Sequence, residues 1–275
     1  MPYRAALSGR LFFCSFFLSK RLKNAHTKER NGGVGMKKGC GWICYWAAVF
    51  VLACSPAEEY VPAGGGVMVE MTDGIPVVAL TFDDGPHPEH TRRLMEGLAA
   101  REVPATFFLV GERLAGNEGI VRELAVQGHQ IGVHTWDHVM LDEEVSTYEF
   151  RSQMLRVRQG IRDIIGEGDY WLRPPYGIMT PELQKLEEGP LIIWSVDPED
   201  WKDRDKDRIV NYVLTRVRDG DIILMHDMFG ASVDAALEIV DELQGRGYCF
   251  VTVKELMALR GVEPEAGRRY NSVPP

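Results

Sequence analysis

Several short polar groups stand directly behind apolar, β-branched runs, and their residue types are those of hydrolytic metal chemistry. Asp83 and Asp84 follow Val77 to Phe82, His134 and His138 follow Gln130 to Val133, Arg173 follows Tyr170 to Leu172, Asp197 and Asp200 follow Leu191 to Val196, and His226 follows Asp221 to Met225. Two histidines four residues apart on a helix are usually a solvated surface pair. Here the pair leaves a strand, so His134 would face inward while His138 folds back from the loop. Two imidazoles and a carboxylate make a set that binds Zn²⁺ and leaves a position open for water. Asp83-Asp84 offers the carboxylate. Adjacent acids at a strand end point to opposite sides, so Asp84 would ligate the ion while Asp83 takes a proton from water that the ion has acidified. His226 would act as general acid, since imidazole titrates near neutral pH. Arg173 precedes Pro174-Pro175-Tyr176-Gly177, a stiffened loop with a tight turn, from which a guanidinium would fix a carboxylate bidentately. Taken singly, each has a plainer alternative: a helix cap for the acids, a satisfied core position for His226, a surface ion pair for Arg173.

These residues act together only if the fold gathers them. Seven strand candidates are legible: Val77 to Phe82, Ala105 to Val110, Gln130 to Val133, Tyr170 to Leu172, Leu191 to Val196, Asp221 to Met225 and Tyr248 to Val253. Amphipathic segments lie between and after them, near 91–101, 119–127, 143–165, 181–188, 208–218, 233–245 and 254–260, several opened by Thr, Ser or Asp. Continuously apolar strands that each lead into a helix imply a parallel sheet covered by helices. An open sheet would spread the polar residues too far apart, whereas a barrel brings every carboxyl end to one rim. The expectation is an α/β barrel.

Together the motifs match one family. In order they read Thr81-Phe82-Asp83-Asp84-Gly85-Pro86, His134-Thr135-Trp136-Asp137-His138, Arg173-Pro174-Pro175-Tyr176-Gly177, Asp197-Pro198-Glu199-Asp200-Trp201 and Ile222-Ile223-Leu224-Met225-His226. The chain from about Pro76 to Leu259 resembles the NodB-type polysaccharide deacetylases, carbohydrate esterase family 4. The resemblance implies a distorted (β/α)₇ barrel in which Asp84, His134 and His138 hold a divalent ion, zinc foremost, with cobalt or another ion able to substitute. It makes Asp83 the base and His226 the acid, with Arg173 orienting Asp83 and Asp200 tuning His226. It gives the Tyr176 backbone N–H to the oxyanion, sets Trp201 and Leu224 as walls of the acetyl pocket, and places Pro174 and Tyr176 against substrate. The implied reaction is removal of N-acetyl groups from GlcNAc residues of a polysaccharide, peptidoglycan foremost. Chitin oligosaccharide, exopolysaccharide and acetylxylan are the alternatives within that chemistry. Outside it stand a glycan-binding module without turnover and a cytosolic amidohydrolase.

Charge and cysteine usage bound the rest. Nine of the 31 Lys and Arg but only one of the 40 Asp and Glu fall within residues 1–53, so the body is strongly acidic and nucleic acid is not an expected partner. Met36-Lys37-Lys38, a short apolar stretch and Val51-Leu52-Ala53-Cys54 resemble a bacterial lipoprotein signal, with Cys54 as the lipidated residue and Met36 as a candidate true start. The expected organisation is a leader over 1–53, a tether over 54–75, a catalytic domain over 76–260 and a C-terminal tail over 261–275. The expected location is outside the cell, attached to the membrane. Cys249 is the single cysteine after Cys54 and is expected to be buried in a strand. The sequence carries no signal for an oligomeric state.

Overall fold

The computed structural model describes residues 74–275. The leader, Cys54 and nearly all of the tether lie outside the described residues. Within them, β1 (Val77–Asp83), β2 (Thr106–Leu109), β3 (Gln130–Val133), β4 (Leu191–Ile192), β5 (Ile222–His226), β6 (Cys249–Val251) and β7 (Arg269–Tyr270) alternate with helices. The helices are α1 (His90–Ala99), α2 (Glu118–Val126), α3 (Thr147–Ile165), α4 (Pro181–Gln184), α5 (Lys206–Arg216), α6 (Gly230–Gly245) and α7 (Val253–Leu259). Ser146, Thr180, Asp205 and Thr252 cap α3, α4, α5 and α7 with their side chains. The Ser146 cap explains why α3 begins at 147 rather than near 143, because a capping residue needs extended backbone just before the first turn.

β1 is the hub. Its partners β2, β5 and β6 all run parallel to it, and β3 continues the sheet beyond β2. From β3 the circuit passes through bridges Val133 to Leu172 and Leu172 to Leu191, reaches β4, and returns to β5 through the Val196 to Ile223 bridge. This is the expected distorted barrel, with carboxyl ends on one rim. Side chains alternate along β1. Val78, Leu80 and Phe82 enter the hydrophobic cluster beneath the helices, while Thr81 and Asp83 face the other way and meet Arg173.

Ala105 to Val110 and Tyr248 to Val253 shorten to β2 and β6, and two further strand expectations shrink to one or two residues. Tyr170 to Leu172 contributes only bridges at Leu172, and β4 stops after Ile192. The physical reason at β4 is that the Arg173 guanidinium takes the carbonyls of Ile192 and Ile193, so no neighbouring strand receives them. The segment 261–275, expected as a tail, instead packs onto the barrel. β7 pairs in parallel with β4, Ser272 bridges Asp221, and Val273 N–H donates to the Gly220 carbonyl at 2.7 Å. Tyr270 and Val273 are buried there. Gly220, at φ 86°, admits this approach, since a Cβ would stand 2.4 Å from the Val273 carbonyl oxygen. No short periodic pattern announced a two-residue strand. Cys249 is buried in β6 as expected.

Candidate active site

The register of β1 against β5 sets Asp83 directly opposite His226, at the carboxyl ends of neighbouring strands. Asp83 is almost fully buried, and its Oδ1 accepts from Arg173 Nη1 at 2.8 Å. Arg173 is itself completely buried. Its Nη1 also donates to Thr81 Oγ1 at 2.7 Å, its Nε to the Ile192 carbonyl at 3.1 Å and its Nη2 to the Ile193 carbonyl at 2.9 Å. With its other donors taken by Thr81, Ile192 and Ile193, the guanidinium is rigid and holds Asp83 by one oxygen instead of the expected two, while Oδ2 faces the histidines.

The sequence reading placed Asp83 and Asp84 on opposite sides; the structure does not. Asp84 lies just past β1 with φ 73°, and this left-handed turn breaks the strand alternation. Its carboxylate therefore swings back to the same site: Oδ1 is 3.2 Å from His138 Nε2 and 3.6 Å from His134 Nε2. His134 Nε2 is also 3.6 Å from Asp83 Oδ2. Among the described residues, Asp84, His134 and His138 form one group whose ligand atoms lie within 4.8 Å of one another.

The chemistry of this set fits a divalent cation. His134 Nδ1 sits 2.7 Å from the Arg173 carbonyl oxygen, an atom that only accepts, so the proton is on Nδ1 and the Nε2 lone pair faces Asp84. Burial holds the His134 pKa below the ordinary imidazole value, which keeps it neutral and able to ligate. Burial alone would raise Asp84, but the adjacent His138 imidazole, 3.2 Å away, and the field of His226 outweigh it and hold the carboxyl well below the usual range. The Asp84 carboxylate with the imidazole nitrogens of His134 and His138 makes an N₂O donor set of the zinc type.

On the opposite wall, Asp200 grips His226 with both oxygens. Oδ1 accepts from the ring Nδ1 at 2.8 Å, and Oδ2 accepts from the His226 backbone N–H at 2.9 Å. Burial pulls the His226 pKa down, but the Asp200 bond and charge, with the nearby Asp83 and Asp84 carboxylates, push it up to about 9. Asp197, half-buried in the same loop, is pushed up by its own burial.

Tyr176 occupies the short turn Pro175–Gly177 in a left-handed conformation, φ 59°, with its ring edge-on to His138 at 4.8 Å. Tyr176 and Trp201 are half exposed, whereas Pro174 and Leu224 are buried. Three nearby residues escaped the sequence reading. Thr81 shares Arg173 with Asp83, and its position two residues earlier on β1 was a usable signal. Asp227, next to His226, is completely buried, accepts from Thr91 Oγ1 and is pushed up to about 7 by burial. Arg113 donates to the Asp84 carbonyl at 2.8 Å from the turn after β2, and no local pattern marks it.

Comparison with known proteins gives a consistent picture. A family model described as polysaccharide deacetylase matches residues 70–188. The chain is 37% identical over 193 residues to a peptidoglycan-N-acetylglucosamine deacetylase of Listeria monocytogenes, covering 70% of this chain and 41% of that protein. It thus spans about two fifths of that relative's length. It is 33% identical over 201 residues to a peptidoglycan-N-acetylglucosamine deacetylase of Bacillus cereus, covering 70% of this chain and 93% of that protein. Among solved structures, a family 4 acetyl xylan esterase from Clostridium thermocellum in complex with a cobalt ion superposes with a TM-score of 0.68 at 33% identity, over 72% of this chain and 100% of that one.

Proposed function

The chain belongs to the polysaccharide deacetylase family, and from that premise we propose that it hydrolyses the N-acetyl amide of GlcNAc residues in peptidoglycan and releases acetate outside the cytoplasm. The observation that carries the reading is the pairing of Asp83 with His226 across two neighbouring strands, beside the Asp84, His134 and His138 cluster. Asp84, His134 and His138 would hold a divalent ion, Zn²⁺ foremost, which when bound would supply Lewis acidity toward water and the acetamide oxygen. Asp83, oriented by Arg173, accepts the proton of the attacking water at Oδ2. The Tyr176 backbone N–H donates to the oxygen on which charge develops. His226, kept protonated at neutral pH by Asp200, delivers its proton to the departing glucosamine nitrogen. Trp201 and Leu224 wall the acetyl group, and Pro174 and Tyr176 line the approach of the sugar.

Peptidoglycan is favoured among acetylated glycans because both relatives above carry that substrate in their names. The Val51-Leu52-Ala53-Cys54 sequence supports attachment of the protein to the membrane by a lipid on Cys54, which labelling with a fatty-acid analogue tests. The function is tested by acetate release from peptidoglycan, chitin oligomers and acetylxylan with Zn²⁺ or Co²⁺ present. Greatest turnover on peptidoglycan is expected. Turnover confined to acetylxylan or chitin oligomers would replace the substrate, and no acetate from any acetylated glycan would leave a binding module.

The acid role has its own signature. Because the folded pKa of His226 is raised, its proton is present below about 9 and lost as pH rises through that value, so kcat/KM should fall on the alkaline side near pH 9. Asp200→Asn removes the largest raising influence, and the limb should move by about one pH unit or more toward the ordinary imidazole value near 6.5. A pH–rate profile with an unmoved limb would show that another group carries the proton.

A further inference from the structure

His134 and His138 are separated by three residues, Thr135-Trp136-Asp137, and that connection adopts a conformation unfavourable for side chains with a Cβ. Thr135 has φ 59° and His138 has φ 62°, both in the left-handed region. Such backbone persists only when its surroundings determine it, and here it is held from two sides. On one side, the turn Gly111–Arg113 donates Gly111 N–H to the Thr135 carbonyl at 3.1 Å and Glu112 N–H to the Trp136 carbonyl at 2.8 Å. On the other side stands Gln153 of α3, which no motif includes and which is buried.

The Gln153 carboxamide is fully committed to the loop. Trp136 N–H donates to Gln153 Oε1 at 2.8 Å, which fixes which end of the amide is oxygen. Gln153 Nε2 then donates to Asp137 Oδ1 and Oδ2, both at 2.9 Å. Asp137 Oδ1 in turn accepts from Val139 N–H at 3.2 Å, just past His138. The Trp136 ring is pinned over Gly111, where a Cβ would stand 2.4 Å from Cε3, and Arg156 of α3 lies 4.1 Å from its centroid. One amide therefore grips the loop at the two residues immediately before His138. His134 is independently fixed by the Arg173 carbonyl.

We infer that Gln153 is a positioning residue for the metal centre: it sets the backbone that aims His138 at Asp84 and His134. The inference rests on the metal-site reading above. Its consequence is specific to donor and acceptor direction. Gln153→Glu keeps the acceptor for Trp136 but loses the donors and sets two carboxylates face to face. Adding Asp137→Asn reverses the direction of the lost bond, because the amide nitrogen introduced at position 137 donates where Gln153 Nε2 did before.

The test is the affinity of the metal-free full-length chain for Zn²⁺, measured by competition with a chromophoric chelator, together with the visible absorption of its Co²⁺ form. Gln153→Glu should weaken binding by about 10-fold to 100-fold and alter the Co²⁺ spectrum, as is typical when a partner of a ligand is lost. The Gln153→Glu, Asp137→Asn pair should recover most of that loss. Asp137→Ala, at an exposed position that does not threaten folding, should weaken binding in the same direction as Gln153→Glu. Wild-type protein that binds Zn²⁺ while Gln153→Glu and Asp137→Ala bind it within about two-fold of wild type would overturn the inference and leave the metal site standing. Failure of the reciprocal pair to improve on Gln153→Glu would overturn it as well. Wild-type protein that binds no Zn²⁺ would overturn the metal-site reading first and the inference with it.

Discussion

Asp83→Asn should lower acetate release from an acetylated chito-oligosaccharide by about 10²-fold to 10⁴-fold while leaving one divalent ion per chain. Asparagine has nearly the same shape and still offers an oxygen to Arg173 Nη1, so the buried network around it stays connected. What it lacks is basicity at the atom that faces the histidines, Oδ2, which lies 3.6 Å from His134 Nε2. The loss should appear in kcat and kcat/KM together, because the proton moves only as the transition state forms. Steady-state kinetics and metal analysis on the same preparation check both halves. Wild-type turnover in the variant would remove Asp83 from the role of base.

Arg173→Met should unfold or nearly unfold the barrel, at a cost of about 3–5 kcal/mol, as expected when one partner of a buried ion pair is deleted. The guanidinium is completely buried, and its removal leaves the Asp83 carboxylate without its cation and the carbonyls of Ile192 and Ile193 without donors. The same side chain thus supports β4 and holds Asp83, the proposed base, so stability and turnover should fall together. The Asp83→Asn, Arg173→Met pair separates the two effects. With the charge gone from position 83, part of the stability should return in denaturant titrations while turnover does not. Equal destabilisation in the single and double variants would mean that the carbonyl bonds, and not the ion pair, dominate.

The parts of this molecule legible in its sequence are those written in short-range chemistry. β1, β3 and β5 show as apolar runs, and the acids and imidazoles after them show because charged groups seldom follow buried strands without reason. The cap at Thr180 likewise announces a helix start, whereas the caps at Ser146 and Thr252 shift helix starts that the periodicity alone put elsewhere. Other features depend on long-range partners. Strand alternation sent Asp84 away from Asp83, and only the positive φ at Asp84 brings it back. β4 ends where Arg173 takes its carbonyls, and β7 exists because Gly220 lets the C-terminal segment approach. Arg113 and Gln153 act on the site from a turn and a helix face, through hydrogen bonds that join residues far apart in sequence.

The central claim is that one divalent ion, held by Asp84, His134 and His138, is required for amide hydrolysis by the Asp83 and His226 pair. Metal-free full-length protein titrated with Zn²⁺, with bound ion and acetate release from N-acetylated glycan read on the same samples, tests it directly. The account predicts that the two curves rise together and saturate at one ion per chain. Acetate release undiminished in the metal-free protein, or full occupancy with no acetate from any N-acetylated glycan, would contradict it.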